Sequence, residues 1–183
     1  VAEAGTVPVI NPGEVHTGSR AMEVGWRYRV FYVPVDFMQQ LAGEIASAPQ
    51  PMPWFPVDVI RDPDLAIRVA RAHRLLEGHV DGSPRDGSDE SAADGDPLAA
   101  EMALIDAFST LIARHALSHP DASRPKADPP RVALMKERLA ADLIEPLSLT
   151  ELAAQVGLSA FHAARLFTQA ARMPPHAWRH QLR

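Results

Sequence analysis

Residues 147–175 read LSLTELAAQVGLSAFHAARLFTQAARMPP, and this stretch allows one layout: two short helices joined by a tight turn. Ser148 and Glu151 have the spacing of a capping box. In it the hydroxyl accepts a free N–H of the first turn and the carboxylate reaches back to the cap. Leu147 and Leu152 flank the box as a hydrophobic staple. Gly157 falls where a helix ends in a left-handed residue, and Ser159 is placed to cap the next helix. Ala153 is small enough to let the second helix cross closely over the first.

On a wheel of 100° per residue, Ala163, Leu166, Phe167 and Ala170 share one side of the second helix and form its expected core stripe. Phe161, Arg165, Thr168 and Arg172 fall on the opposite side as one ridge. Such a ridge suits a DNA groove, because an Arg can fork onto guanine O6/N7 and a ring can lie against a thymine methyl. The N-terminal part of such a helix reaches base edges in the major groove, which adds His162 and Ala164 to the expected contacts. Equally, helix pairs with Ala and Gly at the turn occur in many bundles, and one exposed Phe is ordinary.

Charge points the same way. Residues 131–183 carry seven Lys/Arg against four Asp/Glu, whereas the rest carries 11 against 19. A basic segment on an acidic chain of net charge −5 fits a polyanionic partner, and it fits ordinary surface variation equally well. The chain of 183 residues has no cysteine, which excludes disulfides, thiolate metal sites and a cysteine nucleophile. No apolar run reaches the roughly 18 residues of a membrane span, and the first residues lack the basic and apolar regions of a secretory signal. The expected location is the cytoplasm.

Upstream, GTVPVI and WRYRVFYV read as strands, separated by an Asn-Pro-Gly turn. In the second, Trp26, Tyr28, Val30 and Tyr32 alternate with Arg27, Arg29, Phe31 and Val33. The pattern turns helical from Val35 to about Ile45. A Pro-rich connection follows, then a helix capped by Asp62 with Pro63 at its first position, running to about Glu77. Residues 78–97 are Gly/Ser/Asp-rich and predict a flexible acidic loop. Residues 98–117 predict an amphipathic helix with Leu98, Met102, Ile105, Phe108 and Ile112 as its stripe. Residues 118–130 predict a Pro-rich linker, and 131–183 are helical. The fold class is α+β, mostly α.

The ordering "LSL..LA..VGLS", then "FH..RLF", then "PPHAW...LR" resembles the first helix-turn-helix of the AraC/XylS family of bacterial transcription regulators. RVALMKERLAADLIEPLSL resembles that family's preceding helix. GTVPVINPGEVHTG with GWRYRVFYVP looks like the closing strands of its cupin-like sensor barrel. The resemblance implies partial sensor strands at 1–34, a helical dimerisation segment at 35–117, a linker at 118–130 and a DNA-binding domain at 131–183. The family's second helix-turn-helix and the barrel's opening strands have no counterpart here, so the sequence resembles the middle of such a regulator. Arg172 stands where a Gly commonly follows the second helix. Ala160 and Ala164 replace longer polar groups, which leaves base reading to Phe161 and Arg165.

The resemblance implies double-stranded DNA, a small-molecule effector and a homodimer partner. His16, Glu14, Trp26 and Tyr28 are the candidate effector contacts. No cofactor and no metal are expected: the Pro-Gly turn with Glu14 and His16 lacks the second ligand motif of a cupin metal site. No HExxH, GxSxG, P-loop or GxGxxG is present, so no enzyme is expected. The alternative to a DNA-binding regulator is an interaction module that dimerises with a relative and binds little DNA itself.

Overall fold

The computed structural model describes residues 3–16, 28–81, 96–117 and 125–182. The elements run β1 (Val7–Pro8), α1 (Val35–Ala46), β2 (Val59–Ile60), α2 (Pro63–Asp81), α3 (Pro97–His115), α4 (Pro129–Ala141), α5 (Leu149–Gln155), α6 (Ala160–Ala171) and α7 (Pro175–His180). The described residues are mostly α, with one small antiparallel sheet. No described helix is long and apolar enough to cross a membrane.

The chain divides into two compact units, Val1–His73 with Ala107–Ser123, and Arg74–Asp106 with Arg124–Arg183. In the first unit, β1 pairs with β2 in the register Val7 to Ile60 and Pro8 to Val59. Helix α1 turns Met38, Leu41, Ala42 and Ile45 inward at spacings of three, one and three, as a helix face requires. It stops at Ser47, whose φ of 55° is left-handed and whose N–H reaches back to Glu44. Asp62 does cap α2: its Oδ1 accepts the Leu65 N–H at 3.1 Å.

Tyr28–Pro34 forms no strand, contrary to the sequence expectation. The alternation survives without the pairing. Phe31 and Val33 are half-buried, whereas Tyr28, Val30 and Tyr32 are exposed. Phe31 meets the His73 ring at 5.1 Å and the Phe108 ring at 5.6 Å, and Phe37 meets Phe108 edge-on at 5.9 Å. Side-chain packing on α2 and α3, rather than a ladder of backbone bonds, holds this segment. Trp26 and Arg27, and most of the expected acidic loop, lie outside the described residues, as do residues 118–124 of the expected linker.

In the second unit, α4, α5 and α6 close on one apolar cluster. Its largest members are Phe167, Leu139, Leu147, Leu149, Leu152 and Met135. Helix α4 starts at Pro129, with Asp128 as its cap. The first half of α3 belongs to the same unit: Leu98 is in the cluster, and Met102 and Ile105 pack against it. Phe108 and Ile112 are buried in the first unit. The stripe expected to form a dimer interface is therefore largely covered within the chain.

Candidate nucleic-acid interface

The helix pair α5–α6 is built by local chemistry. The capping box is complete: Ser148 N–H donates to Glu151 Oε2 at 2.9 Å and Glu151 N–H donates to Ser148 Oγ at 3.1 Å. The Ser148 N–H, and after it the Ser148 hydroxyl, which donates to Glu151 Oε2 at 2.8 Å, hold the Glu151 carboxyl below the usual carboxylate range. At the other end of α5 the chain makes a Schellman turn. Leu158 N–H bonds Ala153 O at 3.1 Å, Gly157 N–H bonds Ala154 O at 3.2 Å, and Gly157 has φ of 63°. Leu158 then packs against the cluster that holds Ala153. Ser159 caps α6 through the His162 N–H at 3.3 Å.

Helix α6 buries Ala163, Leu166 and Phe167 in the cluster, as its spacing predicts. Two positions differ from the wheel. Ala170 is exposed and Ala171 packs inward in its place. The stripe of a helix drifts with 3.6 residues per turn, so its last residue moves round the edge.

The outward ridge is also corrected. Phe161 is only 4% exposed, although it lies outside the apolar cluster. The Arg165 guanidinium lies over its ring at 5.2 Å, and the His162 ring stands edge-on at 5.4 Å. A side chain four residues on covers the same helix face, so a ring on the outer side can still be roofed. Ala164 is buried in the cluster. Both Phe161 and Ala164 are thus buried rather than outward-facing. The half-exposed Arg165 and Thr168 and the exposed Arg172 remain on the outside. Burial lowers the Arg165 pKa somewhat. His162 is half-buried, with Nδ1 2.9 Å from Ser159 Oγ, which makes it part of the cap.

Arg172 ends α6 with φ of 61°, a left-handed conformation that a side chain tolerates poorly. Arg179, one of the seven Lys/Arg counted in residues 131–183, is 2% exposed. It donates to Asp142 O at 2.8 Å and also to Glu145 O. A buried cation needs such partners. The tie fastens α7 to the loop between α4 and α5, and one of the seven C-terminal cations is thereby lost to the surface. Pro175 and Arg179 are spaced i, i+4 and both buried, which was a local sign of a shared inward face. The partners 34 and 37 residues away left no sign at all.

In the first unit, three of the four candidate effector residues are described. Glu14 accepts from Asn11 N–H at 2.9 Å and from Asn11 Nδ2 at 3.2 Å, closing the Pro-Gly turn. His16 is exposed, its Nδ1 3.4 Å from Glu14 O. Tyr28 is 64% exposed. Trp26 is outside the described residues. Among the described residues, no group of three or more His, Asp or Glu is placed to hold a metal ion.

Residues 1–108 match the family model of the AraC-like ligand binding domain. The match covers more than half of the 183 residues, and the chain belongs to that family. It extends past the expected strands, through α1 and α2 and into α3. The partner class it defines for this segment is a small-molecule effector. No curated protein and no solved structure matches the chain.

Proposed function

We propose that the chain is an effector-responsive transcription regulator whose helix pair α5–α6 binds double-stranded DNA, with no enzymatic activity. The observation that carries the reading is the two-sidedness of α6. Its inner face is fixed by Ala163, Leu166 and Phe167, its first turn is capped, and its outer face keeps Arg165, Thr168 and Arg172 at the surface. A rigid helix with two cations and a hydroxyl on its outer face is suited to reading a major groove. Arg165 is the base-reading residue of this proposal. Thr168 and Arg172 contact phosphates, and His162 positions the helix through its cap. Phe161 supports Arg165 from beneath. A homodimer through Leu98–Ile112 is not part of the proposal, because that stripe is largely covered.

The test uses duplexes selected from a randomised pool by the 183-residue chain. Arg165→Ala should reduce the preference for the selected duplex over a scrambled one by about 5- to 150-fold, equivalent to ~1–3 kcal/mol. Unchanged sequence preference in that variant would remove Arg165 from the role. Failure of the unmodified chain to enrich any duplex would favour the interaction-module reading instead.

A further inference from the structure

The capping box at the start of α5 is complete by itself, yet the same turn receives another carboxylate from far away. Glu101 Oε2 accepts the Thr150 N–H at 2.9 Å and the Thr150 hydroxyl at 2.9 Å, across 49 residues of sequence. Glu101 sits on α3 one residue before Met102, within the segment matched as a ligand-binding domain. Ser148 and Glu151 already satisfy each other, so α5 does not need Glu101 in order to start. The bond serves a different purpose: it fixes where the first turn of α5 lies against α3. A carboxylate suits the place, because the free N–H groups of a helix start carry partial positive charge.

We propose that Glu101 is a positioning residue that latches α5 to α3, so that the ligand-binding segment holds the helix pair by a polar contact at its first turn. The packing of Leu98, Met102 and Ile105 on the cluster supplies adhesion between the same partners, but apolar contacts slide. The two bonds to one oxygen set the register. Both atoms that Glu101 holds belong to Thr150, so opening the latch frees the turn without disturbing the buried face of α5.

Amide hydrogen exchange of the 183-residue chain tests this, and its readout does not depend on whether the chain binds DNA. Glu101→Ala should speed exchange of the Thr150 amide about tenfold, the loss of a hydrogen bond to a charged group. The amides of α6 should keep their rates. Glu101→Gln retains an acceptor oxygen and should keep most of the protection. Thr150→Val loses only the hydroxyl and should leave the amide at that position slow. Equal exchange at Thr150 in the unmodified chain and in Glu101→Ala would overturn the latch. So would an equal acceleration throughout α6, which would make Glu101 a general stabiliser.

Discussion

Each of the two units is held together internally by its own mix of contacts. In the second, the polar bonds are mostly short in sequence: Ser148 with Glu151, Gly157 with Ala154, Ser159 with His162. They define the helix ends, and one apolar cluster then joins the helices. In the first, local bonds such as Asn11 with Glu14 and Asp62 with Leu65 are joined by others that span 44 to 53 residues. Asn11 is buried and brackets Phe55, donating to its carbonyl and accepting from its N–H, both at 2.9 Å across 44 residues. Asp62 takes Arg114 at 3.1 Å and His115 at 3.0 Å, 52 and 53 residues on. The difference teaches that a helix pair can be specified by its own ends, whereas a unit whose described sheet is two strands of two residues each also depends on distant side chains finding each other.

The comparison breaks most visibly at the second unit's core. Phe167→Ala removes its largest apolar side chain and should cost ~3–5 kcal/mol. Denaturant unfolding followed by helix content should show that loss concentrated in α4–α6, with the first unit's tertiary signals retained. Loss of both units together would mean that they are one cooperative whole.

Asn11→Ala should come next. It leaves the Phe55 N–H and carbonyl without their partner in a buried place, at a cost of ~1–3 kcal/mol. The effect should appear in protease sensitivity of residues 3–60 and spare α5–α6. A variant that unfolds at the same denaturant concentration as the parent would show that water replaces the Asn.

Arg172→Gly acts in the opposite direction and more weakly. Gly has no penalty at φ of 61°, and relief of the strain should raise stability by ~0.5–1 kcal/mol. The melting temperature should rise by a few degrees, while DNA affinity falls because a cation is lost. A lowered melting temperature would show that the Arg172 side chain stabilises the turn more than its backbone strains it.

Acid should produce the smallest differences, because the groups involved are near the surface. The backbone bond from Leu65, then His115 and Arg114, hold the Asp62 carboxyl far below its ordinary value. A depressed carboxyl contributes stability that is full above its unfolded pKa and is lost as pH falls through its folded one. Helix content should therefore be flat from neutral pH to about 5, where unfolded carboxyls are still ionised, and decline only at lower pH. Asp62→Asn should flatten that decline for the first unit. If helix content already falls near pH 6, groups other than these carboxyls are responsible.

Legibility followed the same division. Capping box, staple, Gly157 and Ser159 were all readable, because each is a rule about residues within five positions. So were α1 from Val35 and α2 from Asp62. The burial of Phe161 was not, since a wheel gives direction but not the roof that Arg165 supplies. The strand at 28–33 failed because alternation marks an inward and an outward face but cannot show that a pairing partner exists. Asp62 was readable as a cap, but its second role, as the partner of Arg114 and His115, was not. Glu101 was invisible for the same reason: nothing near it in sequence hints at Thr150.

Central to the account is the proposal that an acidic chain binds DNA through the outer face of α6. A titration of the 183-residue chain against a selected and a scrambled duplex, at several salt concentrations, tests it most directly. A single helix pair with few phosphate contacts should give dissociation constants of about 10⁻⁴ to 10⁻⁶ M at physiological salt, weakening steadily as salt rises. The selected duplex should bind more tightly, and Arg165→Ala should erase much of that advantage. Absence of binding to either duplex at low salt, or binding that ignores salt, would contradict the account.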